Sequence, residues 1–127
     1  MKEQFFDDRK LPPVDMACLQ ELRELTLSNG NPGRFRRLVE TFQGALELQL
    51  GLMRRALAAG NSDDIADLAH SLKGSAACIG AGHLSSLCST LETVCSNTSP
   101  DEPKRLLSQI EKEAQLVHRI LEKEAIA

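Results

Sequence analysis

Apolar residues recur along this chain at intervals of three and four, the spacing of one face of an α helix. The pattern is clearest between Asn31 and Gly60, which predicts one long amphipathic helix there. Asn31 supplies a helix cap, and Pro32 occupies the first helical position, where proline is favoured. No segment alternates with the period of two that a half-buried strand requires, so the pattern predicts an all-α protein.

Start and stop signals predict four further helices. Asp15 caps a first helix that ends near Leu27, before Ser28, Asn29 and Gly30. Asn61 opens a third helix that ends around residues 80–82, and a fourth begins at or near His83 and is broken over residues 97–99. Ser99 and Pro100 begin a last helix that continues to the chain end. The residues expected to face inward are, in chain order, Met16, Leu19, Leu22, Leu25, Phe35, Val39, Phe42, Leu46, Gln49 or Leu50, Met53, Leu57, Ile65, Ala69, Leu72, Ala76, Ile79, Leu84, Leu87, Leu91, Val94 or Cys95, Leu107, Ile110, Ala114, Val117 and Leu121.

Four longer helices joined by short turns are typical of an antiparallel up-down-up-down four-helix bundle. The first, shorter helix is then an additional N-terminal helix packed across the bundle. A chain of 127 residues with 42% apolar residues can fill one such core. We therefore expect one helical bundle domain over residues 14–127. The charged segment 1–13, which ends in two prolines, is expected to be an N-terminal tail or linker.

Composition argues against several classes of function. The net charge is −3, no basic block is present, and the chain has neither Trp nor Tyr with which to stack bases. Nucleic-acid binding is therefore not expected. No apolar run approaches the roughly 20 residues that a membrane helix needs, and the charged N-terminus lacks the apolar segment of a secretory signal. We expect a cytoplasmic protein with no direct membrane contact.

The cysteines and two of the histidines have ordinary structural interpretations. Cys88 and Cys95 are seven residues apart on one predicted helix face, so they are expected to be core residues. Cys78 has the same interpretation with less support, because it adjoins Ile79 at a helix end. Neither His83 nor His118 has a His, Asp or Cys four residues away with which to bind a metal. Both are expected to be solvated surface residues.

His70 is different, because small residues surround it in the predicted third helix. Ala66 and Ala77 lie one and two turns away on nearly the same line, and Lys73 and Gly74 follow His70 by three and four positions. The apolar stripe of this helix lies on another face, so the imidazole should point toward water. A histidine with cleared surroundings and one cation nearby suits the handling of an anion by a docked partner.

Glu92 is placed to meet His70 across the predicted helical hairpin. Both residues lie eleven positions from Ala81 at the centre of the turn, which puts them at the same height, about 16 Å along their helices. A carboxylate there could accept a hydrogen bond from Nδ1–H, which would leave the Nε2 lone pair facing outward as a nucleophile. The alternative is that Glu92 is an ordinary solvated carboxylate.

Lys73 has a similar ordinary alternative, whereas Gly74 is harder to explain without a particular role. Lys73 could offset charge on phosphoryl oxygens, or it could be an ordinary surface lysine. Gly74 would let a partner's surface come close. A glycine inside a helix costs about 1 kcal/mol relative to alanine, so it calls for a packing or access reason.

These residues resemble the motif of histidine-containing phosphotransfer (HPt) domains, the carriers of bacterial and fungal multistep phosphorelays. The resemblance rests on residues 69–76, on Ile79 and Gly80, and on the positions that continue it, namely Leu84, Leu87, Leu91 and Glu92. It implies a left-handed four-helix bundle in which His70 accepts the phosphoryl group. It also implies that Lys73 and Gly74 support the reaction and that Glu92 is the partner of the imidazole ring.

The resemblance also implies a set of partners. Family members take a phosphoryl group from the aspartate of a receiver domain and pass it to another receiver, without ATP or kinase activity of their own. No cofactor is expected on this chain, because the receiver supplies the Mg²⁺ ion and most of the catalysis. Transient docking is expected near His70, at Ala66, Gly74 and Ala77.

The leading hypothesis is therefore a phosphotransfer intermediate that acts between response-regulator receivers. Two alternatives stay open from the sequence: a non-catalytic adaptor that binds receivers or another enzyme, and an unrelated structural bundle. A free-standing carrier and a module of a hybrid sensor histidine kinase are both compatible with the sequence.

Overall fold

Five helices form where the amphipathic pattern predicts them. The computed structural model describes residues 12–27, 30, 33–95 and 100–126, and within these ranges it contains no strand. The helices are α1 (Met16–Leu27), α2 (Arg34–Ala58), α3 (Ser62–Cys78), α4 (Gly82–Val94) and α5 (Asp101–Ile126). The prediction of an all-α protein is confirmed.

Side-chain caps begin two of the helices as predicted. Asp15 Oδ1 accepts hydrogen bonds from the backbone N–H groups of Ala17 and Cys18, at 3.0 and 3.3 Å. The Asn61 side chain accepts one from the N–H of Asp64 at 3.1 Å. Such caps satisfy N–H groups that have no partner within the helix. Several predicted features lie outside the described residues. They are the start signals of α2 and α5 at residues 31–32 and 99, the stop signals at residues 28–29 and 97–99, and most of the predicted tail.

Helices α2, α3, α4 and α5 form a closed ring. Each packs against the next one along the chain, and α5 packs against α2. The short connections make neighbouring helices antiparallel, and α1 packs against α2. The fold is therefore the predicted up-down-up-down four-helix bundle with an additional N-terminal helix. The division of the chain at residue 14 stays a prediction.

The core consists largely of the predicted inward positions, including Leu50 rather than Gln49. Leu22, Leu57, Leu87 and Val94 are partly buried against it. Two predicted positions in α1 are wrong: Met16 and Leu25 remain 45% and 65% exposed. Helix α1 lies on the outside of the ring and buries only a narrow stripe, which a helical period alone cannot show.

Cys88 and Cys95 are buried as predicted, but Cys78 is exposed. Cys78 is the last residue of α3, and the next residue, Ile79, takes the core position instead. Burial raises the pKa of the Cys88 thiol to about 12, and the charge of Lys73 lowers it to a smaller extent. Because thiolates rather than thiols react, Cys88 is a structural residue.

The prediction that His83 is a solvated surface residue is also wrong. Its side chain is only 19% exposed, and its Nδ1 lies 3.2 Å from Oε1 of Glu113, which is itself buried. The reason is the packing of α5 against α4, which brings Glu113 over the start of α4. His118 on α5 is 51% exposed, in agreement with the prediction.

Gly80 sets the turn between the two helices that carry His70 and Glu92. Its φ of +84° lies in the left-handed region, and its carbonyl accepts a hydrogen bond of 2.8 Å from the N–H of Asp15. A Cβ at this position would lie 3.2 Å from the backbone oxygen of Asp15. Glycine is therefore favoured here by its conformation, and the close approach of Asp15 and Cys18 adds to the cost of any side chain.

A pair of alanine substitutions separates these two requirements. Gly60 also has a positive φ, +69°, but a Cβ there meets nothing within 4 Å. Gly60→Ala is expected to lower the free energy of unfolding by about 1–2 kcal/mol, the cost of the left-handed conformation. Gly80→Ala is expected to cost roughly 1 kcal/mol more, because Asp15 must also shift. Urea unfolding of both variants measures the difference, and equal losses would contradict the packing argument.

Candidate functional site

His70 projects from the outer side of α3. The core stripe of this helix, formed by Ile65, Ala69, Leu72 and Ala76, is buried on the opposite side. The His70 side chain is 67% exposed. The helix thus presents the imidazole to solvent while its backbone is held by the core.

Glu92 on α4 joins His70 and Lys73 through its two carboxylate oxygens. Oε2 lies 2.9 Å from His70 Nδ1, and Oε1 accepts a hydrogen bond of 2.9 Å from Lys73 Nζ. With Nδ1–H donating to the carboxylate, the tautomer is fixed and Nε2 keeps its lone pair. Nδ1 is therefore occupied, and Nε2 is the ring nitrogen whose lone pair is free.

Both hydrogen-bond partners act on the pKa of the Glu92 carboxyl group. The hydrogen bond from Lys73 is the main cause that lowers this pKa below its ordinary value, and His70 adds to the effect. A lowered pKa keeps Glu92 ionised throughout the neutral range. At neutral pH the imidazole therefore faces a carboxylate rather than a neutral acid.

The lowered pKa predicts a pH-dependent contribution of Glu92 to stability. A carboxyl group whose pKa is lower in the folded state stabilises that state above its unfolded value, here near 4.5, and loses this contribution as the pH falls through the folded value. Thermal unfolding should therefore show wild type more stable than Glu92→Gln above about pH 5, with the difference shrinking under more acidic conditions. A Lys73→Met background should reduce this pH dependence, and a difference independent of pH would contradict the lowered pKa.

Two hydrogen bonds that the sequence did not predict fix α3 on either side of His70. On the α2 side, Gln49 Nε2 donates to Ser71 Oγ at 3.0 Å. On the α4 side, Ser85 Oγ donates to the carbonyl of Lys73 at 3.0 Å. Neither bond has a sequence signal, because each joins a polar side chain of one helix to a polar group of another. Together they hold the segment that carries His70.

The surface next to His70 is open. Gly74 is exposed, and a Cβ at this position would meet nothing within 4 Å, so the fold itself does not require glycine here. Ala77 is exposed one turn further, whereas Ala66 is partly buried against the core. Of the three predicted docking residues, two are thus freely accessible.

A mostly apolar depression adjoins this open surface between α1, α2 and α3. Leu38 of α2, which is 38% exposed, forms part of it. Ser75 and Cys78 of α3 contribute its other side, one and two turns beyond Ser71. The depression therefore continues the surface around His70 and Gly74 toward the first two helices.

The described part of the chain contains no group of three or more His, Cys, Asp or Glu side chains that could hold a metal ion. None of its helices is both long enough and apolar enough to cross a membrane.

Comparison with known proteins finds the type of domain whose motif this sequence resembles. The model of the Hpt domain family matches residues 37–120, two thirds of the chain. A search of curated proteins by sequence found no match. Among solved structures, the chain is similar to histidine-containing phosphotransfer protein B (HptB) from Pseudomonas aeruginosa PAO1, with a TM-score of 0.82 and 27% identity over 91% of this chain and 96% of that one.

A more distant structure shows the same fold. It is a rice protein described as a histidine-containing phosphotransfer protein, with a TM-score of 0.76 and 23% identity. The match covers 91% of this chain and 85% of the rice chain.

Proposed function

We propose that His70 carries the phosphoryl group in this chain, which belongs to the Hpt domain family. As a member of that family it is a histidine phosphotransfer intermediate of a phosphorelay, a carrier rather than an enzyme. The observation that supports His70 as the phosphorylated residue is its exposed ring, whose Nδ1 lies 2.9 Å from the Glu92 carboxylate.

The proposed reaction is an in-line transfer between an aspartyl phosphate of a receiver and Nε2 of His70. The Nε2 lone pair forms the bond to phosphorus while the bond from phosphorus to the aspartate oxygen breaks, and its electron pair stays on the aspartate carboxylate. The ring becomes cationic, and the proton on Nδ1 stays hydrogen-bonded to Glu92. The carboxylate thereby stabilises the charge that forms on the ring. Delivery to the next receiver is the reverse sequence.

Lys73 is proposed to neutralise the transferred group. In the unphosphorylated protein its ammonium is held by Glu92 Oε1, within one helical turn of the imidazole. When three phosphoryl oxygens arrive at Nε2, the flexible side chain can exchange part of this contact for them. Glu92 therefore keeps the cation close until it is needed.

The carrier contributes a positioned imidazole and, through Glu92 and Lys73, part of the charge stabilisation. Phosphoryl transfer depends mainly on alignment and on neutralisation of charge, which a receiver with its acidic pocket and Mg²⁺ would supply. Docking is proposed to use Gly74, Ala77, Ala66 and the apolar depression beside them. The same roles apply whether the chain acts alone in the cytoplasm or as a module of a hybrid sensor histidine kinase.

Transfer from a phosphorylated receiver tests this proposal directly. The chain should acquire a phosphate that is labile in acid and stable in alkali, as expected for phosphohistidine. Correlation of ³¹P with ¹⁵N resonances should place it on Nε2 of His70. An acid-stable phosphate, or phosphate on Nδ1, would overturn the assignment, and a receiver that binds without transferring would favour the adaptor instead.

A further inference from the structure

Helix α2 has an exposed face, containing two leucines, that points away from the rest of the bundle. Leu48 is 64% exposed and Leu52 38% exposed. Both line an open depression on the outside of α2 together with Gly44, Glu47, Gly51 and Arg55. We call residues 40, 44, 48, 51 and 55 the outer ridge, since they fall within an arc of about 80° at 3.6 residues per turn.

The two glycines of the outer ridge are not explained by packing within the chain. A Cβ built on Gly44 or on Gly51 meets nothing within 4 Å. Glycine is the poorest helix former after proline, so two of them inside one helix weaken it without any gain in internal packing. They flank the exposed Leu48 on both sides, where they would let another backbone come close.

The outer ridge is complementary to itself when two copies of α2 run antiparallel. With the two-fold axis between Glu47 and Leu48, Gly44 of one chain faces Gly51 of the other, and the two Leu48 side chains lie side by side at the axis, each across from Glu47 of the other chain. In the same register the exposed Glu40 faces the exposed Arg55 of the second chain, and this pair occurs twice. The axis lies close to the middle of the 25-residue helix, so nearly its whole length can pair.

We propose that the outer ridge of α2 binds the same ridge of a second copy of this chain, in an antiparallel, two-fold symmetric dimer. A symmetric interface requires one patch that complements itself, and the glycines, Leu48 and the pair of opposite charges meet this requirement together. Pairing of single helices buries less surface than the roughly 1,200–2,000 Å² of a stable complex. The dimer is therefore weak, and it forms as the concentration rises.

The outer ridge is separate from the phosphotransfer site. The two flanks of α2 face its neighbours, since Gln49 contacts Ser71 of α3 and Arg54 pairs with Glu111 of α5. The outer ridge lies between these flanks, whereas His70 lies at the edge between α3 and α4. A dimer formed through α2 leaves both imidazoles open to receivers.

Analytical ultracentrifugation of the full chain, at protein concentrations between about 10 µM and 1 mM, tests the proposal. A weak complex has a dissociation constant in or near this range. The mean mass should rise from one chain toward two. Glu40→Arg and Arg55→Glu should each weaken association at least tenfold, and the double variant should restore it, because the charge pair is re-formed in the opposite sense. Gly44→Leu should abolish association while raising the unfolding temperature of the dilute monomer, which excludes unfolding as the cause.

Other outcomes overturn the proposal. A chain that is monomeric at 1 mM has no such interface. Single charge reversals that the double variant does not rescue would exclude the antiparallel register. If the chain stays monomeric and Leu48→Glu slows phosphoryl transfer, the outer ridge belongs to the receiver interface instead. Labelling of His70 is measured separately, so failure of the dimer and failure of the proposed function are distinguishable.

Discussion

Replacing His70 by glutamine is expected to abolish phosphoryl transfer to the chain while leaving its fold intact. The glutamine side chain can still hydrogen-bond Glu92, but it has no nitrogen lone pair that can attack phosphorus. Because the His70 side chain is 67% exposed, the free energy of unfolding should change by no more than about 0.5 kcal/mol. Incubation with a phosphorylated receiver measures the first effect, and urea unfolding measures the second.

His118 offers a matched control for this substitution. It is also a helical histidine, 51% exposed, and lies 3.8 Å from a glutamate, Glu122, on its own helix. It lacks the lysine that joins the carboxylate at His70, and it lies on α5, away from α3. His118→Gln should therefore be labelled like wild type. Labelling that survives in His70→Gln and disappears in His118→Gln would reverse the assignment of the site.

The contact between His70 and Glu92 could be expected from the sequence because the turn between α3 and α4 is short and rigid. The positive φ of Gly80 and the hydrogen bond from Asp15 set this turn, so residues equally distant from it meet at the same height. The pairing of Lys73 with Glu92 could not be predicted by counting residues from the turn. Lys73 is nearer the turn by almost one helical turn, and only its long side chain bridges the gap.

Contacts that depend on the arrangement of whole helices could not be predicted from the sequence pattern. Periodicity locates the stripe of a helix that is buried, but it does not give the width of that stripe, so Met16 and Leu25 were expected inward and are exposed. It also does not show which helix covers a given residue. The pairing of His83 with Glu113 arises only because α5 packs against α4.

The roles proposed for Glu92 and Gly74 are two different contributions to one reaction. Glu92 acts on the electronic state of the ring, because its ionised carboxylate holds Nδ1 and one cation at the same time. Gly74 acts on access, because it leaves the backbone of α3 uncovered one turn from the ring. The first contribution is tested by pH dependence and the second by added bulk.

Introducing glutamate at Gly74 is expected to slow phosphoryl transfer at least tenfold without destabilising the bundle. Tenfold corresponds to about 1.4 kcal/mol of lost interaction with the receiver in the transition state. A Cβ at this position meets nothing within 4 Å, and any residue with better helix propensity than glycine should stabilise α3 by about 0.5–1 kcal/mol. Opposite effects on transfer and on stability would therefore locate the defect in docking. Rates of transfer from a phosphorylated receiver, combined with urea unfolding, measure both.

Two further substitutions separate bulk from charge at this position. Gly74→Ala should be more stable than wild type and should keep its transfer rate within a few-fold, since a methyl group hardly changes the surface. Gly74→Gln has the size of glutamate without its charge, so it should slow transfer nearly as much if bulk obstructs the receiver. If only the glutamate variant is slow, repulsion of the phosphoryl group or competition for Lys73 explains the loss. Wild-type rates in all three variants would mean that no receiver surface approaches Gly74.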